Sequence, residues 1–210
     1  MADGVYERLR ELITNLVLKP GQRISVEDVA HMLEVSATPV REALHRLVEE
    51  GFVEQKPYIG FFVTNLTPED VEELFEIRKT LETLAIQRLL LAEETRLAIV
   101  CLLKKLEGIK SAGFPYKDTQ IFDEEFHIKF LLQSSNGRWL TRIARNVIDL
   151  IRMTTKMSQN PRAAHDEHYR ILIELQNNNK PGAIEALLIH LDRAKQETTA
   201  SFMEGGDMPS

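Results

Sequence analysis

The stretch Val35-Ser-Ala-Thr-Pro-Val-Arg-Glu-Ala-Leu-His-Arg-Leu47 constrains this chain more than any other. Ser36 and Thr38 suit a helix N-cap, and Pro39 suits a first helical position, where its missing N–H goes unpaired anyway. Val40, Ala43, Leu44 and Leu47 then recur at helical spacing and form one apolar stripe. Arg41, His45 and Arg46 stand off it, and Gly51 supplies a left-handed C-cap. A short helix that buries one side and offers Ser, Thr, Arg and His on the other has the form of a recognition helix.

Its neighbours fit that reading. Val5, Leu9, Leu12, Ile13 and Leu16 predict a first helix running to about Leu18, and Lys19-Pro-Gly21 a turn. Ser25 caps a second, short helix from Val26 to Leu33. Helix, short helix, tight turn and recognition helix is the helix-turn-helix order. After Gly51 the period changes. Phe52–Gln55 and Phe61–Thr64 read as two strands joined by Lys56-Pro-Tyr-Ile-Gly60, a hairpin that serves as a wing or merely caps the domain.

Thr67 and Pro68 open a new unit, helical to Ser201 with short breaks. The expected helices are 68–91, 93–111, 117–133, 138–157, 162–177 and 181–201, separated by Gly, Pro, Ser and Asn clusters. The predicted fold is therefore mostly α. A winged helix-turn-helix of three helices plus a β-hairpin spans 1–65, an all-α antiparallel bundle of six or seven helices spans 66–203, and a frayed tail covers 204–210.

The chain carries −6 at pH 7, shared equally between 1–65 (7 basic, 10 acidic) and 66–210 (19 basic, 22 acidic). Attraction for phosphate must then come from local placement of basic groups. The lone Cys101 excludes an intramolecular disulfide, fits a reducing cytoplasm and is expected to be buried among Ile99, Val100, Leu102 and Leu103. The first residues do not read as a signal peptide, and no apolar run approaches the roughly 20 residues of a bilayer span. The expectation is a cytoplasmic protein with no membrane association.

Polar groups stand on stripes that should face inward. Asp123 and His127, four apart, share a stripe with Phe126 and Phe130; His168 aligns with Leu172 and Leu175; His190 aligns with Leu187, Leu191 and Ala194. Singly, each His reads as a hydrogen-bonded core residue and the Asp–His pair as a local salt bridge. Together they suit a divalent cation, which removes the cost of burying a carboxylate and binds neutral imidazole. Zinc, nickel and manganese all accept these ligands. His165 is a rival ligand one turn before His168. Arg78 also falls within an apolar stripe and needs an anion, either internal Glu82 or the carboxylate of a bound small molecule.

With these residues in view, the chain resembles the GntR family of bacterial transcription regulators, in the FadR-like branch with an all-helical FCD effector domain. The resemblance covers nearly the whole length. Thr38-Pro-Val-Arg-Glu-Ala-Leu44 with Glu50-Gly51 matches the DNA-binding signature, and Pro57 and Gly60 match the wing. Asp123-Glu-Glu-Phe-His127, Glu167-His168 and His190-Leu191 match three metal-ligand motifs. Six bundle helices stand closer to the shorter, VanR-like variant. The resemblance implies DNA contacts by Ser36, Thr38, Arg41 and Gly60, and an effector pocket at the metal for a small organic acid. His45, Arg46 and Lys56 are added as phosphate or base contacts. Ala37, Glu27 and Ile59 stand where the family commonly carries arginine.

The leading expectation is a metabolite-responsive regulator acting as a repressor. As a homodimer it would set two recognition helices on double-stranded operator DNA about 34 Å apart, with residues 65–67 linking effector domain to DNA head. Two alternatives stand beside it. One is a metal-dependent hydrolase or oxygenase with an N-terminal targeting module, although no further acid, base or nucleophile has a placed role. The other gives the metal a purely structural role.

Overall fold

The computed structural model describes residues 2–154 and 160–204. Residues 155–157 of the helix expected to reach 157 lie outside the described residues, as does the expected tail beyond Glu204. The chain divides into two compact units, residues 1–70 with 149–156, and residues 71–148 with 157–210.

The first unit contains α1 (Ala2–Thr14), β1 (Arg23–Ile24), α2 (Val26–Met32), α3 (Ala37–Glu49), β2 (Val53–Lys56) and β3 (Gly60–Val63). Helix α1 stops one turn before Leu18, because Leu16 turns left-handed (φ 56°) and the amide of Leu18 returns to the Leu12 carbonyl. Leu18 thereby joins the core rather than extending the helix. Ser25 caps α2 as expected, its hydroxyl accepting from the Asp28 amide at 3.1 Å. Ser36 holds the N-cap position of α3 but makes no side-chain cap bond. Pro39 is the third residue of α3, not the first, and still within the turn whose amides have no helical acceptor. Gly51 (φ 85°) follows the C-cap Glu50, where a residue with a Cβ would be strained.

The sheet order is β1-β3-β2, antiparallel throughout, with Val53 opposite Val63 and Lys56 opposite Gly60. The hairpin loop is Pro57-Tyr-Ile59, with Tyr58 left-handed (φ 61°) at its tip. Strand β1 is not predicted from sequence: two residues carry no period, and the pairing of Arg23 with Phe62 and Ile24 with Phe61 alone defines it. Val40, Ala43, Leu44 and Leu47 of α3 are all fully buried against Leu9, Ile13 and Phe52. At one edge of this core Arg10 donates to Tyr6, Glu50 and Asp149 while its guanidinium lies 4.5 Å from the Phe52 ring centre. A charge so placed costs little, because each donor has an acceptor and its flat face covers an aromatic ring.

The second unit is built from α4 (Pro68–Arg88), α5 (Glu93–Ser111), α6 (Tyr116–Glu124), α7 (Arg138–Arg152, grouped with the first unit from Asp149 on), α8 (Pro161–Gln176) and α9 (Lys180–Glu204). Thr67 and Asp70 cap α4 reciprocally, through Asp70 N–H to Thr67 Oγ1 and Thr67 N–H to Asp70 Oδ2. The helix expected over 117–133 is not uniform. After α6 it widens into a π-helix, Glu125–Leu132. Helix α7 ends at Arg152, short of the predicted 157, with a turn at 153–154. Cys101 is exposed, contrary to expectation. The buried stripe of α5 is Ile99, Leu102, Leu106 and Ile109, and Cys101 falls off it. No described helix is long and apolar enough to cross a membrane.

Phe52→Ala is expected to cost about 3–5 kcal/mol, read as a lower urea midpoint for the N-terminal unit.

Candidate functional site

Asp123 lies at the end of α6 and His127 in the π-helix, with His168 on α8 and His190 on α9. The structure brings these four together: one ligand atom from each lies within 4.8 Å of every other. The Nε2 of His127 is 3.1 Å from that of His168 and 3.2 Å from that of His190. Asp123 Oδ1 stands 3.6 Å from His127 Nε2 and 3.8 Å from His168 Nε2. The three imidazoles are buried, while the Asp123 side chain is 43% exposed and marks the open side. The π-helix is the local device behind this. Its i→i+5 bonding is uncommon and is frequently found at functional sites. Here it delivers His127 to full burial while Phe126 flanks both His127 and His168.

Two further carboxylates fix the imidazoles from behind. Glu82 Oε2 is 2.6 Å from His127 Nδ1, and Glu82 Oε1 accepts from Arg78 Nε at 2.6 Å. Glu167 Oε2 is 2.8 Å from His190 Nδ1, and Arg193 donates to both Glu167 oxygens. Burial opposes ionisation of Glu82, but the Arg78 guanidinium and His127 outweigh it and hold the carboxyl at about 2. Burial likewise opposes Glu167, yet His190 and Arg193 lower it. Desolvation, reinforced by neighbouring imidazoles, pushes His168 well below its ordinary value and lowers His190.

These bonds decide the tautomers. An ionised carboxylate only accepts, so Nδ1 of His127 and of His190 carry the hydrogen. In the neutral rings each Nε2 then presents a lone pair, and two lone pairs face each other across 3.2 Å. A divalent cation placed between them would satisfy both. Carboxylate–imidazole pairs aimed at one point are also how metal-ligating histidines are ordinarily held. The donor set thus fits a divalent ion.

His165, the rival ligand, is not in the set. Its Nε2 meets the Leu106 carbonyl at 3.1 Å and its Nδ1 meets Asp166 at 2.9 Å. Arg78 pairs with Glu82, the internal acid weighed for it, but its buried Nη2 makes no hydrogen bond. Sequence reading names Glu167 only within the Glu167-His168 motif and gives it no orienting role, since its partner His190 is 23 residues away. Glu82 carries a signal, four residues after Arg78 on the same stripe.

On the first unit, Ser36, Thr38, Arg41 and His45 are exposed along α3. Arg41 lies 3.6 Å from Glu27, and His45 rests edge-on against Phe61. Arg46 is engaged internally, bonded to Asp3 at 2.6 Å and lying over the Tyr6 ring. Lys56 lies over Phe62, and Gly60 (φ 132°) ends the wing turn. A groove between α3 and the wing is lined by Arg23, Glu27, Arg41, Lys56, Tyr58 and Ile59. Arg23 is a basic group the sequence reading passes over. Its Nη2 donates to the Ile59 carbonyl at 3.0 Å and ties the wing tip to β1.

Comparison with known proteins matches residues 1–63 to the gntR family of bacterial regulatory proteins and residues 73–193 to the FCD domain. An uncharacterised HTH-type transcriptional regulator, YdhC of Bacillus subtilis (strain 168), is 32% identical over 95% of this chain and 92% of its own length. The Nta operon transcriptional regulator of Aminobacter aminovorans is 33% identical, with 83% of each chain covered. Among solved structures, Escherichia coli McbR/YncC superposes with a TM-score of 0.78 at 23% identity, over 96% of this chain and 98% of the other, a likeness of fold.

Glu82→Leu is expected to destabilise chelator-treated protein by about 3–5 kcal/mol by stranding the buried Arg78 charge. Arg78→Met in the same chain should restore most of that loss in a denaturant titration.

Proposed function

This chain belongs to the GntR family, with an FCD domain, and is a transcriptional regulator; on that premise we propose that it is a repressor acting as a homodimer on operator DNA, with a metal-bound organic acid as its signal. The hydrolase or oxygenase alternative finds no support, because the relatives are transcription regulators. The observation that carries the metal reading is the meeting of two lone-pair-bearing Nε2 atoms, each fixed by a carboxylate on the far side of its ring.

Asp123, His127, His168 and His190 would hold the divalent ion, zinc, nickel or manganese. Three neutral imidazoles and one carboxylate leave such an ion with net positive charge and with open coordination positions. When bound, it would supply a Lewis-acidic anchor for an anion. A small carboxylate is the ligand class that fits. The half-exposed Asp123 marks the way in, and Arg78 keeps one buried N–H group uncommitted two links from His127. A ligand there would alter the packing among α4, α8 and α9, and residues 65–67 would pass the change to the DNA-binding unit.

On DNA, Ser36, Thr38 and Arg41 would read the major groove from the N-terminal part of α3, with His45 beside them and Lys56 and Gly60 of the wing against the backbone. Arg46, already paired with Asp3, would reach phosphate only by exchanging that partner. The reading rests on exposure and helix position: a hydroxyl freed from capping at Ser36, an exposed Arg41, and a wing tip with Tyr58 fully exposed.

Two measurements test the two ends. Arg41→Ala should weaken binding to a duplex selected from a random library by about 10–100-fold, measured by fluorescence anisotropy; unchanged affinity removes α3 from the interface. His168→Ala should lose the metal that native mass spectrometry finds in the wild-type chain; equal metal content refutes the ligand assignment. Loss of thermal stability on chelation, with DNA affinity indifferent to added carboxylates, would favour the purely structural metal.

A further inference from the structure

Of the seven basic residues over 1–65, most are answered by acids. Arg8 pairs with Glu11, Arg10 with Glu50 and Asp149, Arg41 with Glu27, and Arg46 with Asp3. Arg23 is different. It is exposed and makes no ion pair among the described residues. Its guanidinium is nevertheless held in place. Nη2 donates to the Ile59 carbonyl at 3.0 Å. A Cβ added at Gly60 would stand 3.6 Å from Nε and 3.8 Å from Nη2, so the flat group lies along the bare α-carbon that ends the wing turn. The rest of its donor fork has no acceptor among the described residues.

Strand pairing sets its company. Arg23 stands opposite Phe62 on the central strand β3, and Lys56 stands opposite Gly60. Alternation sends Ile24 and Phe61 into the core and puts Arg23, Phe62 and Lys56 on the other face. The Nζ of Lys56 lies 4.7 Å from the Phe62 ring centre. Two cations from opposite edges of the sheet thus flank one ring. Glu54 shares that face and forms an ion pair with neither among the described residues. Arg23, Lys56 and Arg41 all line the groove between α3 and the wing, a cavity of about 520 Å³. A unit with three more acids than bases must concentrate its attraction for phosphate, and these three cations do so around one groove. Arginine suits the task. Its fork matches two phosphate oxygens, and a guanidinium already fixed loses less freedom on binding.

We propose that Arg23 is a phosphate clamp, holding one backbone phosphate of operator DNA at the mouth of the groove while its Nη2 stays on the Ile59 carbonyl. This rests on the operator-DNA reading above and adds to it a contact from β1, outside both α3 and the wing. The clamp carries no base information. It fixes where α3 and the wing sit along the duplex.

Fluorescence anisotropy on the full chain, over a series of salt concentrations, tests it with two duplexes, one selected from a random library and one of unrelated sequence. R23M weakens binding to both by the same factor, about 5–10-fold near 0.1 M salt, and makes the slope of log K against log salt shallower by about 1 per chain bound. R23K keeps the charge and the wild-type slope. A wild-type slope in R23M overturns the proposal. Equal losses in R23M and R23K with the slope unchanged would mean that Arg23 only fastens the wing, and loss on the selected duplex alone would mean that it reads a base; either overturns the clamp. Arg41→Ala, run beside them, keeps the two readings apart. If it binds as wild type does, α3 leaves the interface. If it binds weakly while R23M keeps the wild-type slope, only the clamp falls.

Discussion

The second unit depends on a chain of contacts that begins at Arg78 and ends at three converging nitrogens. Arg78 holds Glu82 ionised, Glu82 holds the hydrogen of His127 on Nδ1, and His127 then turns a lone pair toward His168 and His190. Remove the first charge and the acid no longer stays ionised in the interior. Remove the acid and the imidazole loses its fixed tautomer. Glu167 and Arg193 repeat the device behind His190. Buried ion pairs contribute little net stability, because desolvation offsets most of the attraction. Their presence in duplicate, each behind a buried imidazole, is accounted for by orientation of the rings rather than by folding.

The backbone is shaped to the same end. An ordinary α-helix over 117–133 would set Asp123 and His127 one above the other on adjacent turns. In the π-helix from Glu125 to Leu132 His127 is fully buried, while Asp123 at the end of α6 stays half-exposed. The site therefore has a closed back of imidazoles and an open front at one carboxylate. A bound anion needs both, a dry environment that strengthens its attraction and a path from water.

The DNA-binding unit shows restraint in its charge. It carries three more acids than bases over residues 1–65. Glu27 stands near Arg41, Asp3 holds Arg46, and Glu50 with Asp149 occupies Arg10. Few cations are left to attract phosphate without regard to sequence.

By itself the sequence determined what repeats locally. The stripe of Val40, Ala43, Leu44 and Leu47, the left-handed Gly51, the hairpin after it and the inward placement of Asp123, His127, His168 and His190 all follow from spacing of three, four or two residues, which the chain displays without folding. Tertiary structure alone decided what joins distant segments. Glu82 meets His127 across 45 residues, and His127 meets His190 across 63. No periodicity announces such meetings. The same holds for β1, which exists only through β3, and for Leu18, which leaves its helix to fill the core. Cys101 turned outward because the buried stripe of α5 runs through Ile99 and Leu102 and misses it. Local spacing tells which face a residue is on; which atoms of two faces touch is fixed only when the whole core closes at interior density.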